Sequence, residues 1–259
     1  MSNDIENFQS VDLNKLQLSI NSMLPRDIQV WHLTYAPFVT VARTRKETVD
    51  TTNTDKIKSR NTNVNSSSKT ENYLYSWHSI ASSTKKIYSY RIYVGPAMNP
   101  LDRFHRAHIH DPEFQIEKLP HVLKYFEGTH DFRAFSGAIE QNARKQGKTA
   151  ENTDTIRTVY KVNFVKESEC SHTSRSGDGN YRIDIILNGA LYKMVRNIMG
   201  ASFDVCRGKI TENKLLSLLH QKTEDNEENR FFFDRDCNPS KPAPAEGLCL
   251  EKVFYYDGF

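Results

Sequence analysis

Apolar and polar residues alternate along several short segments of the chain, a pattern that predicts half-buried β-strands. The clearest segment is 86–94 (KIYSYRIYV), where Tyr88 and Tyr90 fall on one face and Ser89 and Arg91 on the other. The same pattern predicts further strands at residues 27–38, 157–166, 181–187 and 247–256. We therefore expect a sheet to which distant parts of the sequence contribute.

Elsewhere apolar residues recur at helical spacing, and residues typical of helix ends mark the limits of these segments. Asp12 caps a short helix that Pro25 ends. Another helix begins near Pro120, with Gly128 as its C-terminal cap. Thr211 caps a third helix of this kind. Helices are thus expected to alternate with the strands along the chain.

A further helix is predicted within residues 188–200 (NGALYKMVRNIMG), and it places a charged residue beside an apolar stripe. Arg196 directly follows this stripe, which consists of Leu191, Met194, Val195, Ile198 and Met199. An arginine at a core boundary needs a fixed anionic partner, because an unpaired buried charge is costly. Alternatively, Arg196 extends along the apolar face to solvent. The helical pattern by itself leaves both alternatives open.

Short connections between the predicted strands favour an α+β fold with a mainly antiparallel sheet and flanking helices. The strands at 157–166 and 181–187 are joined by a turn-rich segment (SHTSRSGDGN), which lacks the crossover helix that a parallel pair needs. Residues 45–69 are almost entirely Thr, Asn, Ser, Asp and Lys. Such a composition cannot bury enough apolar surface to order itself, so we expect a disordered insertion at about residues 41–72.

Composition and charge narrow the function classes only slightly. The chain has 259 residues, and its formal net charge of +3 is compatible with a polyanionic partner without requiring one. Its cysteines form no C-x-x-C pair, which favours a reducing, intracellular compartment and leaves cytoplasm, nucleus and organelle all open. We find neither a signal peptide nor an apolar segment long enough to span a membrane, so no membrane association is expected.

Five sequence blocks, in the same order along the chain, together resemble the tRNA pseudouridine synthase A (TruA) family. The most specific block is 191–200 (LYKMVRNIMG). The blocks 86–90 (KIYSY) and 128–135 (GTHDFRAF) also match the family pattern. Residues 21–30 (NSMLPRDIQV) and 243–250 (APAEGLCL) are weaker matches. The resemblance covers most of the chain, and its strength lies in the ordered set.

The resemblance implies an isomerase that converts uridine in tRNA to pseudouridine and needs neither cofactor nor metal. In this reaction the C1′–N1 bond is broken, the uracil turns, and C5 is joined to C1′. The target base must leave its stack, so an aromatic platform and a basic groove are expected. Tyr88 falls on the family tyrosine that packs on the uracil, and Arg196 falls on the arginine that pairs with the catalytic aspartate.

The resemblance also implies two related half-domains around a central cleft. Here residues 1–110 would be an incomplete first half-domain that carries the insertion, and residues 111–259 the second half-domain. Family members are commonly homodimers. Weak candidates for RNA binding are Lys85, Lys86, His130 and Arg133, although the block that holds the last two is expected to be mainly structural.

Two family features are missing from this sequence. The family's nucleophilic aspartate lies in an R-T-D-x-G-V-H-A loop upstream of the L-P-x-D-I block, and none of Asp4, Asp12 and Asp27 has those flanking residues. The family block F-x-A-R aligns with residues 77–80 (WHSI), so Ile80 stands where an RNA-handling arginine is expected. We therefore expect the chain as given to be inactive, as a truncated enzyme or as a pseudoenzyme that binds RNA.

Two further classes of function remain as alternatives. In the segment HRAHIH, His108 and His110 alternate along a strand and could face one metal ion, as in a metal-dependent hydrolase, although zinc usually needs three or four ligands. A non-catalytic RNA-binding module would keep the basic residues and lack turnover. Those basic residues are Lys85, Lys86, Arg91, Arg103, Arg106, Arg144 and Lys145.

Overall fold

The computed structural model describes residues 11–34, 39–43, 71–75, 79, 82–139, 144, 153–169, 177–219 and 234–255. It divides the chain into two compact units, Met1–Ser82 and Ser83–Phe259. The first unit contains helix α1 (Leu13–Met23) and an antiparallel pair of strands, β1 (Val39–Arg43) and β2 (Glu71–Tyr75). Asp12 caps α1 as expected, because its carboxylate accepts hydrogen bonds from the backbone N–H groups of Asn14 and Lys15.

The prediction of a strand at residues 27–38 is wrong for the part that the structure describes. Residues 27–34 form no strand, and residues 35–38 lie outside the described part of the chain. The backbone of Val30 is instead bonded to the side chain of Asn21, which accepts from the Val30 N–H at 2.7 Å and donates to its carbonyl at 2.9 Å. Side-chain hydrogen bonds from α1 therefore take the place of a neighbouring strand.

The expected insertion at residues 41–72 is too wide at both ends. Residues 41–43 belong to β1 and residues 71–72 to β2, and their backbones pair with each other in register. The pairing satisfies backbone groups, which the side-chain composition of the segment does not reveal. Residues 44–70 lie outside the described part of the chain.

The second unit is built on a six-stranded sheet with the order β4-β3-β7-β6-β5. The sixth strand, β8, lies on the same side of β3 as β4: β4 pairs with residues 92–94 of β3, and β8 pairs with residues 83–90. Its strands are β3 (Ser83–Val94), β4 (Ala107–Ile109), β5 (Gly128–Asp131), β6 (Ile156–Glu169), β7 (Gly179–Leu187) and β8 (Leu248–Tyr255). All pairs are antiparallel except the short pair of β3 with β4. The α+β class and the mainly antiparallel sheet are thus confirmed.

The described residues of this unit also include the helices α2 (Leu119–Lys124), α3 (Met194–Cys206) and α4 (Glu212–Leu219). Their apolar residues join one core with the alternate positions of the sheet, such as Tyr90 and Ile92 on β3 and Ile183 on β7. On the other face of the sheet, Arg91 forms an ion pair with Glu251 at 2.7 Å. The helix-bearing face is therefore apolar, and the opposite face carries charge.

The half-domain division at residue 110 stays a prediction, and one predicted helix boundary differs from the structure. β3 lies in the unit Ser83–Phe259, where it pairs with β7 and β8. Gly128 does not cap α2, which ends at Lys124 with Tyr125 as its C-cap. Gly128 instead begins β5 with φ at 109°, a left-handed conformation that favours glycine.

Candidate functional site

Tyr88 lies in the middle of β3, on the face of the strand that contributes to the core. It is opposite Ile185 on β7 and Leu250 on β8, and its half-buried ring packs against core residues. Burial raises the pKa of the Tyr88 hydroxyl. The side chain is therefore neutral at physiological pH, which suits packing and hydrogen bonding and not proton abstraction.

Arg196 lies in the first turn of α3, and its guanidinium is only partly used by the protein. Its Nε donates a hydrogen bond to the carbonyl of Ala243 at 2.7 Å, and the backbone N–H of Ala243 donates to the Arg196 carbonyl at 2.9 Å. Among the described residues, no carboxylate lies within 4.0 Å of the guanidinium. Arg196 therefore forms no ion pair within the described part of the chain.

The segment 241–247, which we call the strap, connects Arg196 to β3. The hydroxyl of Tyr90 donates to the carbonyl of Pro244 at 2.6 Å. At the other end of the strap, the backbone N–H of Arg91 donates to the carbonyl of Gly247 at 2.8 Å. The strap thus binds residues of both α3 and β3.

Gly200 allows the strap to approach α3. A Cβ atom at this position would lie 2.0 Å from the carbonyl oxygen of Lys241, which is far inside van der Waals contact. Only glycine fits here, because the obstructing atom belongs to the backbone and not to a flexible side chain. The glycine of the LYKMVRNIMG block therefore has a packing role beside Arg196.

The GTHDFRAF block has a structural role, as expected. Asp131 accepts a hydrogen bond from the Thr155 hydroxyl at 2.6 Å and another from the backbone N–H of Arg133 at 2.9 Å. The turn at Arg133–Phe135 is in turn bound to α3, because the amide of Asn197 donates to the Phe135 carbonyl at 2.6 Å. The block thus supports the helix that carries Arg196.

The four weak RNA-binding candidates differ in accessibility. Lys85 and Lys86 are half-buried on β3, and the ammonium of Lys85 lies 4.4 Å from the centre of the Phe254 ring. His130 is half-buried, with a ring nitrogen 2.9 Å from the Glu127 carbonyl. Arg133 is only 4% exposed. This burial leaves little of the Arg133 side chain accessible to RNA.

The histidines that suggested a metal site do not belong to a larger set of ligands. The rings of His108 and His110 are 5.5 Å apart, and His108 Nε2 lies 2.8 Å from the Gly95 carbonyl. Within the described ranges, no group of three His, Cys, Asp or Glu side chains is arranged to hold a metal ion. A cavity of about 410 Å³ lies beside His108 and has Ala243 and Pro244 of the strap among its lining residues.

Sequence reasoning singled out Tyr88 and Arg196 but missed the residues that connect Arg196 to β3, the strand of Tyr88. These are Tyr90, the Ala243 and Pro244 carbonyls, and Gly200. The APAEGLCL block overlaps the strap and so indicated its position in the sequence. The sequence could not show which carbonyls of the strap accept hydrogen bonds, because every residue has a backbone carbonyl.

The fold and site define an α+β protein in which the helix that carries Arg196 is connected through the strap to β3, the strand that carries Tyr88. A family model described as tRNA pseudouridine synthase matches residues 122–256, a range that includes Arg196 and the strap. The match covers more than half of the chain, so this protein belongs to the tRNA pseudouridine synthase family. Tyr88 lies outside the matched range.

Individual relatives agree with this family. The chain is 33% identical to tRNA pseudouridine synthase A of Clostridium kluyveri over 180 residues, which are 70% of this chain and 60% of the relative. It is 26% identical to tRNA pseudouridine synthase A 1 of Protochlamydia amoebophila over 245 residues, 95% of this chain and 70% of the relative. The chain therefore spans about 60% of the Clostridium relative's length. None of the helices in the described part of the chain is long and apolar enough to cross a bilayer.

Proposed function

We propose that this chain provides the tyrosine–arginine part of a tRNA pseudouridine synthase, which isomerises uridine to pseudouridine in tRNA. The observation that supports this function best is the geometry of Arg196. Its Nε is fixed by the Ala243 carbonyl, and none of the described carboxylates pairs with its terminal nitrogens. A cation held in this way is suited to an oriented carboxylate.

The reaction requires a bond to break and another to form at the same sugar carbon. The C1′–N1 bond breaks and the C1′–C5 bond forms, while C5 loses a proton and N1 gains one, so the formula of the nucleotide is unchanged. In this proposal Tyr88 packs on the uracil with a neutral side chain, because burial raises the pKa of its hydroxyl. Arg196 keeps the aspartate nucleophile ionised and oriented.

The aspartate itself is the open part of this proposal. No aspartate in this sequence has the flanking residues of the family's nucleophile. The carboxylate that Arg196 would orient is therefore not assigned to a residue of this sequence. A catalytically inactive RNA-binding protein is the second candidate, favoured by the same guanidinium, which forms no ion pair with the described residues.

The experiment is an assay of pseudouridine formation on unmodified tRNA, with this chain and with a version extended upstream through the genomic reading frame. We expect pseudouridine formation, and Tyr88→Ala should abolish it in whichever version is active. Tyr160→Ala is the matched control, because Tyr160 is 53% exposed on β6 and outside the site. Retained turnover in Tyr88→Ala would contradict the role of Tyr88.

The other outcomes separate the remaining candidates. Binding of tRNA without turnover in both versions would support the RNA-binding protein. Activity of the chain as given would mean that the nucleophile lies within this sequence. The resemblance also leads us to propose a homodimer, for which light scattering of the purified protein at several concentrations should give twice the mass of the chain.

A further inference from the structure

We propose that Tyr90 is a positioning residue for Arg196, which it holds in place through the strap. The inference rests on the proposed function only in naming a carboxylate as the group that Arg196 receives. Tyr90 itself makes no contact with substrate in this proposal, because its side chain is fully buried. Its role is to fix the backbone oxygen that orients the guanidinium.

The argument begins with two hydrogen bonds to adjacent residues. The Tyr90 hydroxyl donates to the Pro244 carbonyl at 2.6 Å, and Arg196 Nε donates to the Ala243 carbonyl at 2.7 Å. The two acceptors belong to successive planar peptide units that meet at the Cα of Pro244, where the proline ring restricts rotation about φ. A shift of the Pro244 carbonyl therefore also shifts the acceptor that holds Arg196.

The composition of the strap makes this connection stiffer. Pro242 and Pro244 flank Ala243, and each proline ring fixes its own φ near −65°. The strap also packs closely against β3 and α3. A Cβ atom at Gly247 of the strap would lie 2.8 Å from the Tyr90 ring, and a Cβ atom at Gly200 of α3 would lie 2.0 Å from the Lys241 carbonyl of the strap. Ala243 therefore has little freedom to move independently of Tyr90.

The Tyr90 hydroxyl keeps its proton in the folded protein. Burial is the main cause of the raised pKa of Tyr90, Glu246 adds to the rise, and Arg196 opposes it. The hydroxyl therefore stays protonated and always acts as a donor toward Pro244. A buried phenylalanine would fill the same space but would leave that carbonyl without its partner.

The arrangement has a consequence for how Arg196 binds its partner. Because Nε is occupied by Ala243, the two terminal nitrogens are the ones left for a carboxylate. Arg196 would then bind the carboxylate end-on through these two nitrogens, and the side-on mode that uses Nε is excluded. Tyr90 thus helps to select the binding mode of the guanidinium.

The test is solvent exchange of the Arg196 Nε–H in ¹⁵N-labelled protein, with the resonance assigned by its loss in Arg196→Lys. We expect Tyr90→Phe to weaken protection of this proton by about tenfold, the equivalent of roughly one neutral hydrogen bond. Tyr181→Phe is the matched control. Tyr181 is also a buried sheet tyrosine, and its hydroxyl donates to a carbonyl, that of Gly177, at 2.8 Å.

A merely structural role would give a different result. If Tyr90→Phe and Tyr181→Phe lower the melting temperature by similar amounts and leave Arg196 Nε–H protection equally unchanged, the positioning role is overturned. If Tyr90→Phe fails to fold, Pro244→Ala provides the second variant, since it keeps the carbonyl and frees the backbone. Protection in Pro244→Ala should then fall, and unchanged protection would overturn the proposal. These readouts need no turnover, so they remain decisive if the proposed function fails.

Discussion

Tyr90 and Arg196 donate hydrogen bonds to consecutive carbonyls, those of Pro244 and Ala243, at 2.6 and 2.7 Å. Tyr90 lies on β3 and Arg196 on α3, so a strand and a helix that are distant in sequence meet on one short segment of backbone. Each of the three elements carries one of the family-like blocks. The blocks therefore form one physical arrangement and are not independent features of the chain.

Gly200→Ala should destabilise the protein by about 1–3 kcal/mol, the usual cost of overpacking a well-packed site. The added methyl group would lie 2.0 Å from the Lys241 carbonyl, so the strap or the helix has to move. The measurement is urea unfolding followed by circular dichroism. In an unconstrained helix the same change would stabilise by about 1 kcal/mol, so the sign of the effect is diagnostic. A stabilised variant would contradict the close approach.

Asn197→Ala should cost about 1–3 kcal/mol in the free energy of unfolding, because it leaves the Phe135 carbonyl without its donor in the core. Asn197 is 1% exposed, and its amide donates to that carbonyl at 2.6 Å. Asn188→Ala is the matched control, since Asn188 is exposed and accepts a hydrogen bond from the Thr158 N–H. If the two variants lose equal free energy of unfolding, the contact between α3 and the Arg133–Phe135 turn contributes no more to stability than an exposed hydrogen bond.

The sequence predicted the elements better than their contacts. Alternation identified β3, and the apolar stripe with Arg196 identified α3, because both patterns record which side faces the core. At residues 27–34 alternation was misleading, since it describes an extended backbone and does not say whether a second strand pairs with it. The strap could not be predicted in detail, because its function depends on carbonyl oxygens and on the absence of a Cβ at Gly200.

The carboxylate of Glu251 should contribute to stability in a pH-dependent way. The Ser89 hydroxyl, which donates at 2.5 Å, and the Arg91 guanidinium lower the pKa of Glu251 below its ordinary value of 4.5. A depressed pKa in the folded state gives stability that is present above the unfolded-state pKa and is lost as pH falls through the folded-state pKa.

The difference in free energy of unfolding between the parent protein and Glu251→Gln should therefore shrink as the pH falls through the folded-state pKa of Glu251. Urea unfolding of both proteins between pH 7 and pH 3, at intervals of roughly one pH unit, measures this difference. Ser89→Ala should move the Glu251 titration, followed by carboxyl NMR, toward its ordinary value. Glu113→Gln is the control for a general effect of removing a carboxylate, and a pH dependence equal to that of Glu251→Gln would refute the assignment.

Cys206 should resist alkylation in the folded protein. It is 1% exposed on α3, and burial raises the pKa of its thiol to about 12, so the reactive thiolate is scarce at neutral pH. Cys249 on β8 is exposed and provides the internal comparison. Peptide mapping after iodoacetamide treatment should show modification of Cys249 in the folded protein and of Cys206 only in urea. Equal labelling without urea would mean that the core around α3 opens readily.

Arg196→Lys should preserve the fold but lower kcat/KM for tRNA in whichever version is active by roughly 100-fold, as when one preorganised catalytic donor is removed. Lysine keeps the charge, yet its single ammonium cannot bond to the Ala243 carbonyl and also offer two coplanar donors to a carboxylate. Arg207→Lys is the matched control, because Arg207 is also a half-buried arginine and its Nε binds the Asp111 carboxylate at 3.1 Å instead of a strap carbonyl. Activity of Arg196→Lys within a few-fold of the Arg207→Lys control would show that charge alone is sufficient. The hydrogen bond from Arg196 Nε to the Ala243 carbonyl would then stabilise the fold without contributing to catalysis.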